Sequence, residues 1–300
     1  MNAQDWLASA SNTPDLVVIG APISRASISP SEAWSTPTAF REALRRFPLW
    51  DAEHHNDIGR IRVRDVGDIA SDRGDSDPAP AHRRIHEATK QWTASAPVVV
   101  IIGGDNSLTR HALQGLMEAR PGNWGLVTLD AHHDVRPTDE GSNNGTPVRD
   151  LIEAGLPANR VAQVGIHPMG NSFSNSEWAR LNGIHSHSLS EIRDAGVDRV
   201  VRQALGEVTG AGAEMLYADL DIDVVDRAFA PACPASMPGG LLPAEMCAAA
   251  YQLGSDQRVV AADLCEVDAN ADSHGITVRL MAQVFLSFCS GLATRRVSIE

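Results

Sequence analysis

Two acidic clusters, Asp130-Ala131-His132-His133-Asp134 and Asp219-Leu220-Asp221-Ile222-Asp223, each close an apolar, strand-like run, and no other feature constrains this chain as much. Residues i, i+2 and i+4 of a strand share a face, so Asp130, His132 and Asp134 are expected to project together, as are Asp221 and Asp223. Carboxylates gathered in one place repel each other and lose their hydration unless cations neutralise them. A metal site is the economical expectation.

The bulk composition allows such a site in a packed interior. Of 300 residues, 43% are hydrophobic and 21% charged, enough apolar material for a sizeable core and no signature of disorder. A net charge of −13 argues against nucleic acid or an anionic membrane as partner and leaves small molecules, or copies of the chain in a homo-oligomer. The first twelve residues are polar and carry no export signal, and the apolar C-terminal segment is interrupted by Arg279, Gln283 and Ser287, so a soluble, cytoplasmic protein without a membrane span is expected. Cys233, Cys247, Cys265 and Cys289 form no Cys-x-x-Cys pair and read as small buried thiols.

Short β-branched runs recur along the chain at Leu16 to Gly20, Ile61 to Val66, Val98 to Ile102, Gly125 to Asp130, Arg160 to Ile166, near Ile184, Glu214 to Asp221 and Val259 to Val267. Helical stripes lie between them, among them Leu108, Ala112, Leu113, Leu116 and Met117, then Val197, Val200, Val201, Leu205 and Val208, and finally Ile276, Leu280, Met281, Val284 and Phe288. This alternation predicts a mostly parallel sheet with helices on both faces. The Asp-, Gly- and Pro-rich stretch from Ser71 to Pro80 reads as a surface loop before a helix near Ala81, and the chain as one domain, residues 1 to 300. Ligands of such sheets bind beyond the carboxyl ends of the strands. Gly103-Gly104-Asp105-Asn106-Ser107, Asp130 to Asp134, Asp219 to Asp226 and Glu266 all fall at such ends.

Each motif also has a plainer explanation. Polar residues cluster wherever a strand meets solvent, Asp105 or Ser107 suits a helix N-cap, and Glu266 could be an exposed acid at a strand end. The two acidic clusters together favour metal, and their carboxylates with an imidazole suit Mn²⁺ or another divalent ion better than a thiolate zinc site. His133 reads as packed or hydrogen-bonded behind His132. His54, His55, His82, His86, His185, His187 and His274 have no ligand spacing, and most of them read as surface residues.

Gly-Gly-Asp-Asn-Ser, Asp-Ala-His-His-Asp and Asp-Leu-Asp-Ile-Asp-x-x-Asp, in this order, resemble the three signatures of the ureohydrolase superfamily, which includes arginase, agmatinase and formiminoglutamase. The resemblance extends to Gly20-Ala-Pro-Ile-Ser, Pro37-Thr-Ala-Phe-Arg41, Gly145-Thr-Pro-Val-Arg149 and the segment from Ala230 to Gly240. It implies a three-layer α/β/α sandwich with about eight strands and two Mn²⁺ ions bridged by a hydroxide. Carried over by position, Asp130 and Asp221 bridge both metals, Asp134 completes one site, and His132 with Asp223 the other. Glu266 holds the amidine or guanidine nitrogens of the substrate. The hydroxide attacks the planar carbon, and Asp134 carries the proton to the leaving amine.

Two positions depart from the commoner pattern. Asn106 stands where most members have a histidine ligand, so that metal site is expected to be weak or empty. Asn144 stands where arginases and agmatinases have a proton-relaying histidine. Both resemble the bacterial formiminoglutamase branch, as do Asp130-Ala-His-His-Asp-Val-Arg136, Asn171-Ser172 and Asp226-x-Ala-Phe-Ala-Pro, whereas His167 departs from an arginine frequent there. The implied reaction is hydrolysis of N-formimino-L-glutamate to L-glutamate and formamide in histidine degradation. Asn143, Asn144, Arg149, Asn171 and Ser172 are the candidate substrate contacts. The rival readings are a guanidine hydrolase that releases urea and a catalytically silent, ligand-binding relative.

Overall fold

The computed structural model of the protein describes residues 1–139 and 141–295. Among the described residues there are ten strands: β1 (Leu16–Gly20), β2 (Trp50–Asp51), β3 (Asn56–Asp57), β4 (Val63–Asp68), β5 (Val98–Ile102), β6 (Trp124–Leu129), β7 (Val161–Ile166), β8 (His185–Ser188), β9 (Met215–Asp221) and β10 (Val259–Cys265). Eight of them form one sheet in the order β4-β1-β5-β10-β9-β6-β7-β8, every neighbouring pair parallel, while β2 and β3 make a small antiparallel pair apart from it.

Strand periodicity builds a core on each face. Val98, Val100 and Ile102 of β5 enter one apolar cluster, with Trp6, Phe40 and Phe285, while Val99 and Ile101 enter the other, with Ile85, Leu113 and Leu116. Such strands, buried on both sides, lack polar alternation because helices cover both faces. The helix Ile276–Ala293 is long and apolar enough to span a membrane, yet most of its length is buried within the protein, where Phe285 meets Phe40 edge-on at 5.2 Å. No cysteine forms a disulfide; Cys233, Cys265 and Cys289 are buried and Cys247 is partly so.

The expected strands are all present, but two features of the loaded strand ends differ. β6 stops at Leu129, before Asp130, and β9 passes at Asp221 directly into a 3-10 turn, Ile222–Val224. Strand alternation therefore does not bring Asp130, His132 and Asp134 together; the turns beyond the strands do. The helix expected near Ala81 begins at Ala79, and Asp72 in the preceding loop is buried, accepting the Ser24 and Arg25 N–H groups at 2.7 Å each.

Two histidines expected at the surface are buried. His187 on β8 meets Glu207 Oε2 at 2.8 Å, and His82 faces inward from the helix Ala79–Thr93 onto the helix Leu108–Ala119. There its ring stacks on His111, centroids 4.1 Å apart, with Nε2 2.9 Å from Ser107 Oγ. Burial, with the Arg110 charge adding to it, lowers His82 to about 4, and burial with His82 alongside lowers His111 to about 2. The unfolded chain takes up these protons near 6.5 while the fold refuses them, so this contribution is complete above that pH and fades as pH falls. By pH 5 each imidazole should have cost about 2 kcal/mol. On going from pH 7.5 to pH 5, His111→Phe, which keeps the stack, should gain about that amount of stability relative to the wild type in urea titrations at each pH; an unchanged difference between the two would show that the stacked pair makes no such contribution.

Candidate metal centre and active-site cavity

The four strands whose ends carry the chemical motifs, β5, β10, β9 and β6, are consecutive neighbours at the centre of the sheet. Their carboxyl ends bring Asn106, Glu266, Asp221 with Asp223, and Asp130 to Asp134 to one place. Asn106, Asp130, Asp134, Asp221, Asp223 and Glu266 are buried, and His132 is partly exposed. Backbone conformation does much of the placing. Asp134 and Glu266 sit in the left-handed region, at φ 53° and 62°, which costs a non-glycine residue about 1 kcal/mol or more. Gly104 must be glycine, because a Cβ there would run into the Ile23 carbonyl.

His132 Nδ1 lies 2.6 Å from Asp223 Oδ2 and 3.6 Å from Asp130 Oδ1, and these three side chains can offer ligand atoms within 4.8 Å of one another. Backbone N–H groups aim the carboxylates: His132 donates to Asp130 Oδ1 at 2.6 Å, Ala131 to Asp223 Oδ1 at 3.0 Å, and Asp223 to Asp221 Oδ1 at 2.7 Å. Asp130 Oδ2 is buried and has no hydrogen-bond partner. A buried orphan oxygen among converging carboxylates and an imidazole fits a hard divalent cation. Asn106 Nδ2 donates to Asp134 Oδ2 at 2.8 Å while its Oδ1 accepts from Thr109 at 2.6 Å. Its amide must turn over before its oxygen can face a cation.

Without a cation the cluster is electrostatically frustrated. Burial, with the Asp223 charge, pushes Asp130 up to about 7; burial, with Asp105 nearby, pushes Glu266 up to about 8. Asp134 and Asp221 rise well above the usual range through burial and then the charges of Asp130 and Asp223 respectively. Burial opposes charge on His132, but Asp223 and Asp130 around it push it up to about 12. Asp223 is lowered: burial opposes its charge, but the His132 charge together with hydrogen bonds from His132 and the Ala131 N–H holds it below the usual range.

The model of the arginase family matches residues 14–290. This chain belongs to the arginase family. It is 30% identical over 287 residues to the formimidoylglutamase of Halalkalibacterium halodurans, the match covering 93% of this chain and 88% of that protein. Among solved structures, Bacillus subtilis formimidoylglutamase superposes with a TM-score of 0.88 at 29% identity, covering 94% of this chain and 88% of that one. Trypanosoma cruzi formiminoglutamase, crystallised with Mn²⁺, shares the fold at a TM-score of 0.90 and 23% identity, over 98% of this chain and 99% of that one.

Against that family background, the cavity sorts the remaining sequence candidates. Its volume is about 650 Å³, and His132, Asp134, Asp221, Asp223 and Glu266 lie on its wall. Asn144, Asn171 and Ser172 also line it, but Asn143 and Arg149 do not. Asn143 instead accepts the Gly145 N–H within its own turn, and Arg149 pairs with Glu153 at 2.7 Å and stacks over Trp178. Asn171 spends its amide on the metal loop, accepting from the His133 N–H at 2.8 Å and donating to the Ala131 carbonyl at 3.1 Å. Ser172 caps the helix Phe173–Asn182. His133 is buried against Gln163, and His167 against the Pro238 carbonyl. Asp105 accepts the Ser107 and Ala26 N–H groups, so it serves the turn, in line with its capping reading.

Arg136 lines the cavity and was not among the sequence candidates. The signal was Gly145, nine residues on: a Cβ there would come within 2.7 Å of Arg136 Cδ, so this glycine makes room for the arginine.

The raised acids and the raised His132 share one sign. The folded, metal-stripped protein holds protons that the unfolded chain has released, so its stability should fall as pH rises from about 5 to about 8. Thermal unfolding of stripped protein should show this decline, and added Mn²⁺ should raise Tm most at the alkaline end. His82 and His111 act in the opposite direction but are outnumbered by the raised groups, so in His111→Phe, where that opposing contribution is reduced, a Tm of stripped protein that is flat or rises across the range would contradict the burial of uncompensated acids.

Proposed function

We propose that this arginase-family hydrolase is a manganese-dependent formimidoylglutamase, cleaving N-formimino-L-glutamate to L-glutamate and formamide as a step of histidine degradation. The observation that carries this reading is the mixed polarity of the cavity. The acids of the strand ends, Glu266 among them, line it with Asp139, and so do donors of the opposite kind, Arg136, Ser172, Ser174 and Asn175. A substrate with a cationic amidine at one end and two carboxylates at the other matches that polarity.

Asp130, His132, Asp134, Asp221 and Asp223 are the residues that would hold two divalent cations, with Asn106 beside them. Bound there, such a pair lowers the pKa of a coordinated water to near neutrality and stabilises the charge that develops during attack. The chain's own groups supply the rest. The Glu266 carboxylate orients the amidine nitrogens and so presents the planar carbon in one pose. Asp134 is the acid suited to pass a proton to the departing α-nitrogen of glutamate. Arg136 binds a substrate carboxylate as a planar fork of donors.

The test is a product assay on metal-stripped protein with N-formimino-L-glutamate, agmatine and arginine, with and without Mn²⁺. Formamide and glutamate should appear only with Mn²⁺, and Arg136→Gln should lower kcat/KM by about 10- to 100-fold, mostly through KM. Release of urea would replace this reading with a guanidine hydrolase, and silence on all three substrates would replace it with a ligand-binding relative.

A further inference from the structure

Asn144 does more than line the cavity: it joins three segments that approach it from different strands. Its Nδ2 donates to Glu266 Oε1 at 3.0 Å, beyond β10; its Oδ1 accepts the Ile28 N–H at 2.9 Å; and its own N–H donates to the Ala26 carbonyl at 3.0 Å, both in the loop after β1. Glu266 Oε1 takes a second donor, the Asn106 N–H at 2.7 Å. With Oε1 thus engaged twice, Oε2 is left without a protein donor among the described residues, on a side chain that lines the cavity. The Glu266 backbone is also held, its N–H donating to the Gly104 carbonyl at 2.9 Å. The glutamate is therefore fixed at both ends, with one oxygen available to a ligand.

We propose that Asn144 is a positioning residue for Glu266, fixing the carboxylate so that Oε2 faces a cationic amidine, and is not itself a substrate contact. The inference rests on the amidine-hydrolase reading above. Both of its side-chain termini already have a partner within the protein, so the protein and not the substrate sets the orientation of the amide. An amide in this position also has a fixed charge and cannot exchange protons, so it acts as a clamp at any working pH and not as a relay. Ile28, held by the same side chain, lines the cavity too, so the geometry of the mouth and the aim of Glu266 depend on one residue.

The proposal separates binding of the two ends of a substrate. Calorimetry on Mn²⁺-loaded protein would use formamidine as a probe of the amidine end and L-glutamate as a probe of the carboxylate end. Removing one donor from a carboxylate in Asn144→Ala should weaken formamidine by about 10-fold and leave glutamate within about 2-fold. In a Glu266→Gln background the same Asn144→Ala change should have little further effect on formamidine, because Asn144 acts through Glu266. Bound Mn²⁺ per chain should stay at the wild-type value, and Tm on the same samples should fall by no more than about 5 °C for the two side-chain hydrogen bonds lost, which a general loss of structure would not allow. Equal weakening of both probes would overturn the proposal and leave Asn144 as a support of the mouth loop, as would full additivity with Glu266→Gln. If wild type binds formamidine no better than Glu266→Gln does, the amidine reading falls together with it.

Discussion

Burial of like charges is the constraint on which this structure turns. Six acids, Asp130, Asp134, Asp221, Asp223, Glu266 and the nearby Asp219, are buried at or just below the carboxyl ends of three adjacent central strands, β6, β9 and β10. A second layer adds to the load: Asp263 stands beside Asp219 in register on β10, its Oδ2 accepting from Tyr217 at 2.6 Å. No arrangement of backbone N–H groups can offset that many ionised carboxylates in a medium of low polarity. Only protons or cations can, and the cluster is poised between the two.

The fold serves this constraint by spending regular structure on everything else. Two apolar cores clamp the sheet from both faces, so the strand ends cannot move apart to relieve the repulsion. The turns beyond them then place individual side chains, through left-handed Asp134 and Glu266 and the 3-10 turn that follows β9. Strain of this kind persists only where the surroundings over-determine it. Amide side chains complete the arrangement without adding charge: Asn106 holds Asp134, Asn171 holds the loop from Ala131 to His133, and Asn144 holds Glu266.

Much of this was legible in the sequence, and the limits have physical causes. β-branched runs and helical stripes disclosed all eight strands of the main sheet, because burial on both faces leaves a long apolar signature. Their order did not show: that β5, β10, β9 and β6 are neighbours depends on long-range pairing that no local pattern encodes. The metal-ligand candidates stood out through their chemistry, but the reason they converge was misjudged, since alternation ends with β6 at Leu129 and turns take over. Pocket residues were the least legible. Arg149 and Asn143 have suitable chemistry yet find partners elsewhere, in Glu153 and Gly145, while Arg136 gained its place from a glycine nine residues on in the same connection. His82 and His187 depart from the surface reading given to most of these histidines, because a polar type suggests exposure whereas an imidazole whose ring nitrogen has a hydrogen-bond partner packs well.

Proton release on metal binding tests most directly whether these acids are held neutral until cations replace their protons. Calorimetric titration of stripped protein with Mn²⁺ at pH 6.5, repeated in buffers of different ionisation enthalpy, counts those protons. Release of about two or more per chain is the predicted result, since metal ligands must give up their protons to bind. Binding with no net release would mean that the buried carboxylates were already ionised, and that their convergence does not depend on a cation.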